Sequence, residues 1–191
     1  MARSVGIDRT KVIAVAAELA DEFGLEQLTL AQVATRLGVK LPSLYNHVDG
    51  LPDLRRALAL LGIRQLMVQF TQAAIGKAED AAIIAMADAY RAYARAHPGL
   101  YAATLRAPGP DDVEALQAAQ SIVEVVLTVL EPYGLAEAAA IHAVRGLRSI
   151  IHGFVTLELA GGFELPLDHD ESFRWLLHTY SAGVRAAAPS G

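Results

Sequence analysis

Cysteine is absent from the 191-residue sequence, which excludes disulfides and thiolate metal sites and suits a reducing cytoplasm. The opening MARSVGIDRT lacks the apolar run of a signal peptide, and no uncharged apolar stretch approaches the roughly 18 residues of a membrane helix. A cytoplasmic protein with no membrane partner is expected. Metal and enzyme signatures are missing too. His142 and His152 stand apart from any HExxH or other tight ligand cluster. No GxSxG elbow, phosphate loop or dinucleotide fingerprint occurs, and Gly161-Gly162 falls at a helix end, where glycine has a structural use. Neither an enzyme nor a metal or cofactor is expected. Strand patterning, internal repeats and low-complexity linkers are absent as well.

What is present is apolar and helical. With 53 % hydrophobic residues the chain is not a disordered polymer, and its length permits a substantial core. The net charge of −5 would argue against a polyanionic partner if it were evenly spread. It is not: residues 1–64 hold eight Lys or Arg against seven acids, the remainder eight against fourteen. Only the N-terminal part is electrostatically suited to nucleic acid, although uneven surface charge also occurs without function.

Val12, Ile13, Ala16, Leu19, Ala20 and Phe23 follow helical spacing before Gly24, a natural stop. In LTLAQVATRLG, Thr29 and Gln32 form a capping box, Leu28 and Val33 the matching staple, and Gly38 the terminator. The next stretch, GVKLPSLYNHV, places Leu41, Leu44, Tyr45 and Val48 at i, i+3, i+4 and i+7, which predicts a third helix with that face buried. After DGLP a fourth runs on through Leu66. Further helical stretches cover 81–96, 113–133, 136–160 and 171–187, separated by breaks at 97–99, 107–112, 133–134 and 161–170. The expected fold class is all-α with about nine helices. A three-helix helix-turn-helix module and the start of a linking fourth helix would occupy 1–64. A helical bundle would occupy 65–191.

Two short helices joined at Gly38, sharing Val33, Ala34, Leu37, Val39 and Leu44 as a small core, make the helix-turn-helix. The second helix of such a pair lies in the major groove and must present polar groups outward. Lys40 suits guanine or phosphate, Asn46 adenine, Ser43 either a base or a phosphate, and Pro42 a thymine methyl. The alternative is an ordinary helical hairpin whose polar side faces water.

Residues 9–60 resemble the DNA-binding module of the tetracycline-repressor (TetR) family: a first helix ending in Phe23-Gly24, then LTLAQVATRLGV, LPSLYNHV and LPDLRRAL. The resemblance implies that Thr29 and Tyr45 contact phosphates, with Lys40, Pro42, Ser43 and Asn46 or His47 in the groove of a double-stranded operator. Arg3, Arg9 and Lys11 would form a mobile arm reaching the backbone or a minor groove. This chain departs from many members in carrying Leu51 where a lysine opens helix four. Arg55 and Arg56, one turn later, are either substitutes for that phosphate contact or part of a solvated face. Lys40 stands where a small capping residue is frequent, so the third helix would begin less firmly.

RGLRSIIHGFVTLELAGGF, followed by FRWLL, resembles the C-terminal domain of a TetR subclass named for a Trp-His-Gly signature, although its tryptophan is lacking upstream of His152-Gly153. The resemblance implies a homodimer joined through the last two helices. The apolar run from Ile141 to Leu159 nearly encircles one of these helices, and Ile150, Phe154, Leu157, Trp175 and Leu176 are the expected interface residues. An effector pocket is expected around Met86, Tyr90, Tyr93, Tyr101 and Leu105, with Arg145, Ser149 and His152 as polar lining. The competing reading makes the tyrosines core residues and the arginines ion-pair partners. The function implied is a repressor that binds a near-palindrome as a dimer and is released by a small, largely apolar molecule. The alternatives are a helical adaptor that binds only protein and a DNA-binding protein that needs no effector.

Overall fold

The structure is a computed structural model, and it describes residues 7–188. Among the described residues every regular element is helical: α1 (Arg9–Phe23), α2 (Leu30–Leu37), α3 (Leu41–Leu44), α4 (Leu51–Ala74), α5 (Glu79–Ala96), α6 (Pro98–Ala103), α7 (Val113–Leu130), α8 (Glu137–Leu159) and α9 (His169–Ala186), with 3-10 turns at Leu25–Gln27 and Glu131–Tyr133. Two compact units form. The first takes the residues up to Arg64 together with His97–Ala115, and the second takes Gln65–Ala96 and the chain from Leu116 onward. The segment 97–115, placed by the sequence in the C-terminal bundle, thus packs with the N-terminal helices.

In the first unit local chemistry sets the helix ends as expected. Asp8 caps α1 by accepting the Lys11 amide at 2.7 Å, and Gly24 leaves it at φ 90°. Thr29 and Gln32 form the reciprocal capping box of α2, which ends on Gly38 in the left-handed conformation. Leu28, Val33, Ala34, Leu44, Val48, Leu54 and Leu58 are buried together with Val12, Ala16 and Leu19 of α1. The expected break at 97–99 is instead the start of α6. Pro98 occupies its first turn, where a missing amide costs nothing. Asp21 on α1 receives that helix end: its carboxylate accepts the Leu100 amide at 2.8 Å and lies 2.9 Å from His97 Nδ1.

The second unit centres on Phe173 and Leu177 of α9, Leu147, Ile151 and Val155 of α8, and Ile83, Met86 and Ala87 of α5, all buried. Arg91 of α5 is 7 % exposed. Its guanidinium donates to both carboxylate oxygens of Glu158 on α8 and, at 2.7 Å, to Asp170 on α9, while lying 5.0 Å from the Phe173 ring centre. At the other end of α5, Asp80 accepts from the Tyr133 hydroxyl and from Arg185. One described segment, Val113–Tyr133, is long and apolar enough to cross a membrane by length and composition alone, with mean hydropathy 1.5. It includes Glu114, Glu124 and Glu131, and Glu114 is paired with Arg56 and Arg64.

Candidate nucleic-acid interface

The helix-turn-helix places its second element on the surface by burying two residues beneath it, Leu44 and Val48. Lys40, Pro42, Ser43, Tyr45 and Asn46 are exposed and His47 is half-buried. Two residues of the predicted apolar stripe do not follow it: Leu41 is exposed and Tyr45 is 56 % exposed. The reason is length. α3 is a single α-turn, and at Tyr45 the chain tightens, with the amides of His47 and Val48 both bonding to the Leu44 carbonyl at 2.8 and 3.0 Å. A spacing of i to i+7 loses its meaning once the 3.6-residue period stops after one turn. Lys40 offers no side-chain cap, so one device that would extend the helix is missing.

Basic residues divide into engaged and open. Arg9, expected in a mobile arm, is instead fixed: it holds both oxygens of Asp53 at 2.8 Å and donates to the His47 carbonyl at 2.7 Å, joining α1 to α4 and to the end of the recognition segment. Lys11 is exposed, and Arg3 lies outside the described residues. Arg56 is bound to Asp112 and Glu114, and Arg55 donates to the Leu25 and Glu26 carbonyls. Both guanidinium groups thus have partners within the chain. The Thr29 hydroxyl donates to Gln32 at 2.8 Å, so a phosphate would have to compete with the capping box.

The Arg9 pair leaves a pH signature. Hydrogen bonding to Arg9 depresses the Asp53 carboxyl to about 2. A depressed acid contributes stability above its unfolded value near 4, and that contribution is lost as pH falls towards about 2. Asp53→Asn is expected to lower stability at neutral pH by about 1 kcal/mol, the exposure of Arg9 limiting the effect, and to flatten the acid limb below pH 4. Urea melts at pH 7 and pH 3 measure both; an unchanged acid limb would refute the assignment.

Residues 83–180 match the family model described as the tetracyclin repressor-like C-terminal domain. Over its entire length the chain is 38 % identical to Rv0681 of Mycobacterium tuberculosis, an HTH-type transcriptional regulator of which it covers 88 %. The chain belongs to the TetR family. YobS, an HTH-type transcriptional regulator of Bacillus subtilis, is 35 % identical, with 96 % of each chain covered. The fold matches a TetR variant from Acinetobacter baumannii solved with minocycline, at TM-score 0.74 and 22 % identity, covering 97 % of this chain and all of that one. This protein is thus a TetR-type transcriptional regulator, a class of non-enzymatic transcription factors.

Within this TetR-family chain the residues expected to bind an effector fall into both units. Met86, Tyr90 and Tyr93 are buried in the second. Tyr90 stacks on Phe70 at 5.8 Å, and the Tyr93 hydroxyl donates to Gln65 at 3.0 Å. Tyr101, buried, and Leu105, exposed, belong to the first. On α8, Arg145 and Ser149 are exposed, the Ser149 hydroxyl bonding back to the Arg145 carbonyl at 2.8 Å. His152 is half-buried 3.4 Å from Thr156, and burial, helped by the charge of Arg148, lowers its pKa.

Of the expected dimer residues, Trp175 is 68 % and Leu157 51 % exposed, with Ile150 and Leu176 half-buried. Phe154 does not join them. It is buried in its own chain between Phe163 and Phe173, with ring centres 4.8 and 4.9 Å away. The LELAGGF stretch also has a structural reason: Glu158 receives Arg91, and Gly161 turns the chain at φ 69°. Sequence reading missed the Arg91 cluster, whose one signal was an arginine set, like Arg95, among the small residues and tyrosines of AYRAYARA.

Proposed function

We propose that this TetR-family regulator is a cytoplasmic homodimeric repressor that binds a near-palindromic double-stranded DNA operator and is released by a small apolar effector. The observation that carries the reading is the exposed row Lys40, Pro42, Ser43, Tyr45 and Asn46, held over buried Leu44 and Val48. These are donor, acceptor and methyl-contacting types suited to base edges and phosphates. A single helix-turn-helix makes few base contacts, so two heads on one duplex add their energies. The large exposed apolar side chains Leu157 on α8 and Trp175 on α9 suit a covering second copy. Effector sensing rests on the buried Met86, Tyr90 and Tyr93, an apolar wall with hydroxyl groups. Helix α4 contributes residues to both units and so links reading head to sensor covalently.

Selection of bound sequences from a random duplex library at fixed salt tests the reading. Recovery of a near-palindrome is expected; no enrichment by a folded protein would count against it. On the selected operator, Tyr45→Phe should weaken specific and non-specific DNA about equally, roughly fivefold, through one lost phosphate contact. Asn46→Ala should instead cost roughly tenfold or more on the operator and relax preference at one base pair. Equal losses on every sequence from Asn46→Ala would remove its base-reading role.

A further inference from the structure

A groove of about 930 Å³ opens within the first unit, between the start of α4 and the segment 102–115. Its volume falls in the range of small-molecule sites, roughly 300–1,000 Å³. The wall is aliphatic: Leu51, Ala59, Ile63 and Ala103 contribute, and no aromatic side chain does. Such a wall suits a flexible alkyl chain better than a stacked planar ring.

Charges at the rim are unequally satisfied. Arg56 and Asp112 neutralise each other, with Glu114 completing the pair. Arg55 is held through Nη2 alone, by bonds of 3.2, 3.3 and 3.4 Å, the last to Glu26, whose side chain is 86 % exposed. Its Nε is buried with no hydrogen-bond partner, a donor left without the acceptor that burial normally requires. Arg106 lines the same groove, is exposed, and has no hydrogen bond or ion pair among the described residues. Asp111, also exposed, lines the groove as well.

We propose that this groove binds an amphipathic carboxylate, with the alkyl chain along Leu51, Ala59, Ile63 and Ala103 and the head group on Arg55 and Arg106. A carboxylate can accept from both guanidinium groups, and the pairing needs no change in the Arg56–Asp112 clamp. The residues lining the site all belong to the unit that carries the helix-turn-helix, and its test does not depend on operator binding.

Isothermal titration of the full chain with decanoate, decanol and decylamine is the experiment. Decanoate is expected to bind with a dissociation constant below about 1 mM, and decanol and decylamine at least roughly tenfold more weakly, since charged hydrogen bonds discriminate at that level. Combining Arg55→Ala with Arg106→Ala should weaken decanoate roughly tenfold or more. Ala107→Trp, at an exposed residue that lines the groove, should block the chain while keeping both guanidinium groups. Unchanged decanoate affinity in both variants would place binding elsewhere and overturn the proposal. So would decylamine binding as tightly as decanoate, or no decanoate binding below about 1 mM.

Discussion

Gly99→Ala is expected to destabilise the protein by about 3 kcal/mol or more, against the sign that helix propensity alone would give. A β-carbon at Gly99 would stand 2.0 Å from the Ala20 carbonyl oxygen, 2.1 Å from its carbon and 2.6 Å from the Asp21 nitrogen. All three are backbone atoms of α1, so no side chain can turn aside. The helices would have to separate, breaking the Asp21 bonds to Leu100 and His97 that seat α6. Overpacking against yielding neighbours already costs about 1–3 kcal/mol. Gly183→Ala on α9 is the control: its β-carbon would meet nothing within 4 Å, and the change is expected to gain up to about 1 kcal/mol. Urea denaturation of the two variants beside wild type, at one protein concentration, measures both. Equal effects of the two substitutions would mean that α6 does not lie on α1.

Arg91→Met should be nearly as damaging. It removes the cation that neutralises Glu158, a carboxylate 11 % exposed, and frees Asp170 on the last helix. Leaving one member of a buried pair costs about 3–5 kcal/mol, because the remaining charge has lost water and partner together. For a chain of this size that lowers Tm by about 10 °C. The decisive comparison is Arg91→Met with Glu158→Leu, in which no buried charge remains. That double variant is expected to recover most of the loss, since apolar replacement of a buried pair is often close to neutral. A double variant as unstable as the single would mean that the arginine acts through its packing on Phe154 and Phe173, 5.5 and 5.0 Å from the ring centres, rather than through charge.

The helix-turn-helix was readable because its signals are local. A capping box needs residues three apart, a left-handed stop needs one glycine, and a small core repeats at helical spacing. Thr29, Gln32, Gly38, Val33 and Leu44 accordingly occupy the places expected of them. The errors have local explanations too. α3 stops after one turn, so Leu41 and Tyr45 face outward, and a proline read as a break begins α6 instead.

By itself the sequence determined that the chain is helical, where most helices begin and end, and that one short segment carries groups fit for DNA. Propensity, capping and the 3.6-residue period act over a few residues and are written in neighbouring letters. Only the tertiary structure decided that 97–115 packs with the N-terminal helices, that Arg9 is held by Asp53 rather than free, and that Phe154 faces inward. It also brought Arg91 to Glu158 across 67 residues of chain. Contacts of that reach depend on which helix faces meet, and periodicity within each helix does not specify its neighbour.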